Sequence, residues 1–203
     1  MAHYLPMFPL NLIVFPGEQR GLYIFEERYK ELIHECDDSG ITFGIPVVIN
    51  NQLAPIGTEV RLVSIDEVMA GGEMQITIEG LKRFRIITFK QKARNRLYPA
   101  GEVDWLDHTT QADTGLQHRV SKLINTLHRL LENVKSMNVP PEELHTFDIG
   151  HDIGLSFEQQ YRLLSLNTEN ERLQYIQNHL EQELQKLKAK FNGHFENYTL
   201  PDM

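Results

Sequence analysis

The apolar residues of this chain change their prevailing period near residue 113, and that change limits the folds open to it. Before it they come mainly in short extended runs, with one early helical stretch; after it they recur at alternating spacings of four and three. Strands grouped before helices make an α+β fold, unlike the strand–helix alternation of a doubly wound sheet. The expected organisation is a β-rich domain over 1–107, a helical bundle domain over 113–192 and a polar tail over 193–203.

Residues 5–33, LPMFPLNLIVFPGEQRGLYIFEERYKELI, frame the first half. Leu10, Leu12 and Val14 share one parity, Ile13 and Phe15 the other, which suits a strand covered on both faces. Pro16-Gly17 ends it, since Pro lacks a donor and Gly accepts a positive φ. A second extended run, residues 22–25, leads into a helix over 26–36. Phe25, Tyr29, Leu32, Ile33 and Cys36 form its apolar face, with Glu27, Lys30, Glu31 and Glu35 largely opposite.

Short β-branched runs follow at 41–45, 47–49, 60–65, 74–78 and 84–87, and 98–105 closes the series. Asn50-Asn51 and Gly71-Gly72 are turn signals, and Gly80 marks a bulge or bend. Close-spaced strands with one early helix predict a compact mixed barrel. In the second half, Leu116, Val120, Leu123, Leu127, Leu130, Val134 and Met137 draw one stripe, stopped by residues 138–141. Pro140-Pro141 with Glu142 and Glu143 opens a further helix, bracketed by Gly150 and Gly154. Capping boxes at Ser156 and Thr168 open two more. The last carries Leu173, Ile176, Leu180, Leu184, Leu187 and Phe191 to an Asn192-Gly193 stop. Such stripes are used up inside one bundle or leave a seam for a homodimer.

LPMFPLNLIVFPG followed by IFEERYKEL resembles the opening of the substrate-binding amino-terminal domain of Lon proteases. FGI at 43–45, IGTEVRL at 56–62, ITIEGLKRFRI at 76–86 and GLSFEQQYRLLSLNTENERLQYI at 154–176 extend the resemblance in order, over nearly the whole chain except the tail. It implies a PUA-like β pseudobarrel with one early helix, followed by an α-helical bundle. It also implies a stand-alone protein-binding module for exposed apolar or extended segments, with a protease or chaperone as a further partner. By the same resemblance Glu26, Arg28 and Tyr29 lie at the lip of a binding groove. The other reading is that Glu26 favours the helix start and Arg28 pairs with a nearby carboxylate.

The residues exclude several functions. A net charge of −8 opposes non-specific nucleic-acid binding. No G-x-x-x-x-G-K-[ST] loop or G-x-S-x-G elbow is present, no cofactor motif appears, and no enzyme activity is expected. No apolar run is long enough to span a membrane, no secretory signal is visible, and the lone Cys36 fits a reducing cytoplasm as an inert buried thiol. His145, Asp148, His151 and Asp152 cluster near a helix end and read as solvated side chains before metal ligands. Lys82, Arg83, Arg85, Lys90, Lys92, Arg94 and Arg96 form the one basic run, and Lys90, Lys92, Arg94 and Arg96 are the alternative, RNA-binding site. Strand parity requires a break near residues 87–91 and splits the run into patches, most simply a solvated strand face.

Overall fold

The computed structural model describes residues 2–107, 109, 111–130 and 140–190. In chain order the elements are β1 (His3–Pro6), β2 (Gln19–Ile24), α1 (Glu27–Ser39), β3 (Phe43–Ile49), β4 (Gln52–Val68), β5 (Met74–Ile86), β6 (Ala100–Trp105), α2 (Thr114–Leu130), a 3-10 turn (Pro141–Glu143), α3 (Thr146–Ile149), α4 (Phe157–Ser165) and α5 (Glu169–Lys190). Val134, Met137, Asn138, Val139, Phe191, the Asn192-Gly193 stop and the tail lie outside the described residues. The chain packs as two compact units, one drawn from residues 1–108 and 157–165, the other from 109–156 and 166–203. Helix α4 thus groups with the sheet rather than with the other helices that follow it.

The first unit is an antiparallel sheet in the order β1-β6-β5-β4-β3, with β2 paired to β5 off this path. Parallel bridges Met7–Gly44 and Leu10–Val47 join the segment after β1 to β3, so the two ends of the sheet meet. Asn50 and Asn51, at φ 50° and 61°, make the tight β3–β4 connection that a two-residue hairpin loop requires. Tyr29, Leu32, Ile33 and Cys36 of α1 enter the same core as Phe8, Phe43 and Ile76. Among the described residues no helix is long and apolar enough to cross a membrane.

Four expectations for the first unit need correction. Residues 10–15 are not a ladder strand, although Ile13, Val14 and Phe15 are buried. Pro9 and Pro16 bracket the segment, and it is held by single bonds instead of a ladder. These include Leu10 N to Pro46 O (3.1 Å) and Thr58 Oγ1 to Val14 O (2.6 Å). The runs at 60–65, 74–78 and 84–87 are pieces of two long strands, bent at bulges such as that between Thr58 and Val60. Gly80 lies in β5 at that register shift, in keeping with the bulge expected there, and a Cβ at this position would collide with the carbonyl of Phe15. Phe25 precedes α1 and is 61% exposed, stacked on the exposed Tyr23. Arg83 is no solvated strand residue: it is fully buried and donates to the carbonyls of Leu164 (2.8 Å) and Asp107 (2.6 Å).

In the second unit Leu116, Val120, Leu123 and Leu127 of α2 are buried, as are Leu173, Ile176, Leu180 and Leu184 of α5, and the two helices pack on each other. Asp113 caps α2 by accepting from Leu116 N (2.7 Å). Thr168 and Glu171 form a reciprocal box: Thr168 N donates to Glu171 Oε2 (2.9 Å) and Glu171 N to Thr168 Oγ1 (3.2 Å). The bond from the Thr168 amide is the largest of the effects that hold the Glu171 carboxyl below its ordinary range. The single helix expected after Pro140-Pro141 is broken. Leu144 and His145 are extended, and the chain restarts at Thr146, whose N–H (2.7 Å) and hydroxyl (2.9 Å) are taken by the buried Glu169 carboxylate.

Candidate functional site

A cleft of about 880 Å³ opens in the first unit. Its walls are residues 4–6 of β1, the connection 40–42 between α1 and β3, and the loop 90–98, with Glu35 of α1 at the rim. Gly40 ends α1 at φ 67°, its N–H bonded to Cys36 O at 2.9 Å, and this left-handed cap turns the chain toward β3.

The loop has its own framework. Lys90 pairs with Ala100, Ala93 N donates to Tyr98 O (2.8 Å), and Asn95 at φ 59° turns the tip. Two acids of α1 fasten it. Leu97 N donates to Glu31 Oε2 (2.8 Å), while Arg96 forks onto Glu35 through Nε (2.7 Å) and Nη2 (3.0 Å). Tyr98 OH adds a bond to Glu35 Oε2 (2.6 Å). The Arg96 fork, then the Tyr98 bond, hold the Glu35 carboxyl below its ordinary range. Burial, then the Glu35 bond, push the Tyr98 hydroxyl up to about 12.

The basic run breaks at residues 87–91 as parity requires, and its members have separate fates. Lys82 lies 5.6 Å over the Trp105 ring, and Arg83 is buried. Lys90, Arg94 and Arg96 line the cleft; Lys92 is exposed on the same loop but does not line it. The charge of Arg96 is matched by Glu35, whereas Lys90 and Arg94 are exposed cations. Glu35 is legible in the sequence as a polar-face residue of α1 but not as the partner of Arg96, because 61 positions separate the two and no motif spacing joins them. The strand at residues 3–6 was not expected either.

Glu26, Arg28 and Tyr29 lie elsewhere. Arg28 Nη2 pairs with Glu26 Oε2 at 2.7 Å, and Glu26 makes no side-chain cap. The buried Tyr29 ring stacks on Phe8 at 3.7 Å, with the Arg28 guanidinium 4.5 Å from its centroid. Burial raises the Tyr29 hydroxyl pKa. None of the three lines the cleft. Burial pushes the Cys36 thiol up to about 12, aided by Glu35, so it stays protonated at neutral pH. Among the described residues no three His, Cys, Asp or Glu side chains assemble as metal ligands.

Comparison with known proteins places this architecture. The family model of the ATP-dependent protease La (LON) substrate-binding domain matches residues 4–182. A Lon protease from Flavobacterium johnsoniae is 24% identical over 92% of this chain, which spans 25% of that protein's length. The crystal structure of a Lon N-terminal domain protein from Xanthomonas campestris is similar at a TM-score of 0.63 and 25% identity, covering 90% of this chain and 98% of that one. The N-terminal domain of Mycobacterium avium complex Lon protease shares the fold at a TM-score of 0.66 and 16% identity, over 88% of this chain and 98% of that one.

Proposed function

The chain belongs to the family of the ATP-dependent protease La (LON) substrate-binding domain, and we propose that it is a non-catalytic module binding exposed apolar or extended segments of other proteins. The family match is to the substrate-binding domain and to none of the protease or ATPase chemistry. In this reading a captured segment passes on to a protease or chaperone. The sheet whose ends meet is a PUA-like pseudobarrel in this reading, and the helices of the second unit a bundle. Glu26 and Arg28, beside the exposed Tyr23 and Phe25, form a second partner-contacting face.

The observation that carries the proposal is the strand edge in the cleft. Met7 N bonds to Pro99 O on the β6 side, whereas Phe8 N bonds to Gly44 O on the β3 side. Backbone groups alternate along an extended chain. Tyr4 and Pro6 share the parity of Phe8, so the Tyr4 amide and the Tyr4 and Pro6 carbonyls face the cleft rather than β6. The bridges to β3 begin at Met7. A stretch of sheet edge therefore borders a cavity of peptide dimensions, the geometry used when an extended segment adds as a strand. The half-polar walls and the 58%-exposed Tyr4 supply side-chain contacts.

The test is binding of the purified chain to a permanently unfolded protein, against the same protein folded. Preference for the unfolded form, competed by a β-strand-forming peptide, is the expected result; equal affinity removes the proposal. RNA is the second reading, favoured by the exposed Lys90, Lys92 and Arg94. The net charge of −8 and the pairing of Arg96 to Glu35 weigh against it.

A further inference from the structure

We infer that the cleft selects extended segments carrying a carboxylate, which Lys90 and Arg94 receive while the segment lies along the edge of β1. This rests on the strand-addition reading above and narrows it to a chemical class of segment.

The argument is one of local charge against global charge. The chain as a whole is acidic, at −8. Lys90, Arg94 and Arg96 are the cations of the cleft lining, and Glu35 is the one carboxylate among the described residues that line it. Glu35 is already occupied by two Arg96 nitrogens and the Tyr98 hydroxyl. The lining therefore keeps a surplus of positive charge on Lys90 and Arg94, inside a wall whose remaining side chains, among them Thr42, Asn95 and Tyr4, carry no charge. That surplus matches an acidic side chain within the segment, and it repels a basic one.

The ion pair of Arg96 with Glu35 has a second consequence. It fixes the loop tip next to Arg94 before any ligand arrives, so the charges are presented on a pre-formed wall. Nucleic acid fits less well. Phosphate backbones are gripped by many cations, and here two are unmatched, beside a sheet edge whose amide and carbonyl groups suit a peptide backbone.

Fluorescence anisotropy with the full chain tests this. The probes are a labelled valine–threonine peptide bearing a central pair of glutamates, its glutamine and lysine counterparts, and a uridine oligonucleotide. The glutamate peptide is expected to bind about fivefold more tightly than the glutamine one at low salt, the margin shrinking as salt rises. Lys90→Ala/Arg94→Ala should erase that margin, so that the glutamate and glutamine peptides bind the variant alike. Both substitutions are at exposed positions, so loss of folding does not confuse the result. Equal binding of glutamate and glutamine peptides overturns the inference but leaves the strand-addition reading standing. A preference that survives in the double variant also overturns it, by placing the selecting charges elsewhere. Failure of every peptide to bind removes both, and displacement of the glutamate peptide by the oligonucleotide replaces both with RNA binding.

Discussion

Two arginine–glutamate pairs, one in each unit, show how the same chemistry serves different ends. Arg172 and Glu169 are 0% and 3% exposed and meet at 2.7 Å; Arg96 and Glu35 are 41% and 27% exposed and also meet at 2.7 Å. Around the buried pair most polar groups find partners. Arg172 also donates to the carbonyls of Leu166 (3.0 Å) and Thr109 (3.2 Å) and lies 4.5 Å from the Phe147 centroid. Glu169 accepts from both the amide and the hydroxyl of Thr146. That network stitches separate backbone segments where water cannot substitute. The exposed pair fastens one loop to one helix, and water competes for each of its bonds. Separation distance says nothing about this difference; burial decides it.

The largest expected effect is therefore at Arg172. Arg172→Met leaves Glu169 buried without its cation, and should lower the unfolding free energy by about 3–5 kcal/mol. Urea denaturation measures this. Arg172→Met/Glu169→Leu should recover a large part of the loss, since removing both charges also removes the uncompensated one. If the single variant unfolds no more easily than Arg96→Met, the contrast between the pairs is wrong.

Arg96→Met comes next. The denaturation midpoint should move several times less than in Arg172→Met, because the pair is surface-exposed and water replaces the guanidinium. Binding of an extended segment should weaken about threefold as the loop loses its fixed position. A variant whose stability falls sharply while its binding is intact would reverse the roles assigned to the two networks.

A smaller effect is readable in acid. The folded Glu35 pKa is depressed, chiefly by the Arg96 fork. Its stabilisation is therefore fully present above the ordinary carboxylate value, and is lost as pH falls through the lower folded value. Thermal melts should show a shallow decline in that window, flattened in Glu35→Gln. Solvent screening keeps the step small. A decline of equal slope in the variant assigns it to other carboxylates.

Local chemistry carried most of the legible fold. The apolar face Tyr29, Leu32, Ile33 and Cys36, the Asn50-Asn51 turn and the Thr168–Glu171 box each depend on residues within a few positions of one another, so sequence spacing exposes them. What stayed hidden depends on distant partners. Arg83 reads as an outward strand residue until the carbonyls of Leu164 and Asp107 are seen to close over it. Residues 10–15 have the composition of a strand, yet they are held by single bonds to distant groups such as Pro46 O and Thr58 Oγ1. The helix over 141–150 breaks because Glu169, more than twenty positions away, captures Thr146. The cleft belongs with these: its cations were visible as a run, but the carboxylate that neutralises one of them and the strand edge beside them were not.

The finest measure of the contrast is Cys36, next to Glu35 on α1. Its thiol is buried and pushed up to about 12, so the native protein should react very slowly with a thiol reagent at neutral pH. Reaction then requires opening of α1, either alone or with the whole unit. Arg96→Met frees the loop that Glu31 and Glu35 hold against that helix, and should speed labelling by local opening, with little change in the unfolding midpoint. Arg172→Met should speed it solely in proportion to its loss of global stability, and by nothing if the two units unfold independently. Labelling rates measured as a function of urea separate these cases, because local opening responds weakly to denaturant and global opening strongly. A steep urea dependence in Arg96→Met would mean that the exposed pair, too, holds the fold and not merely the cleft.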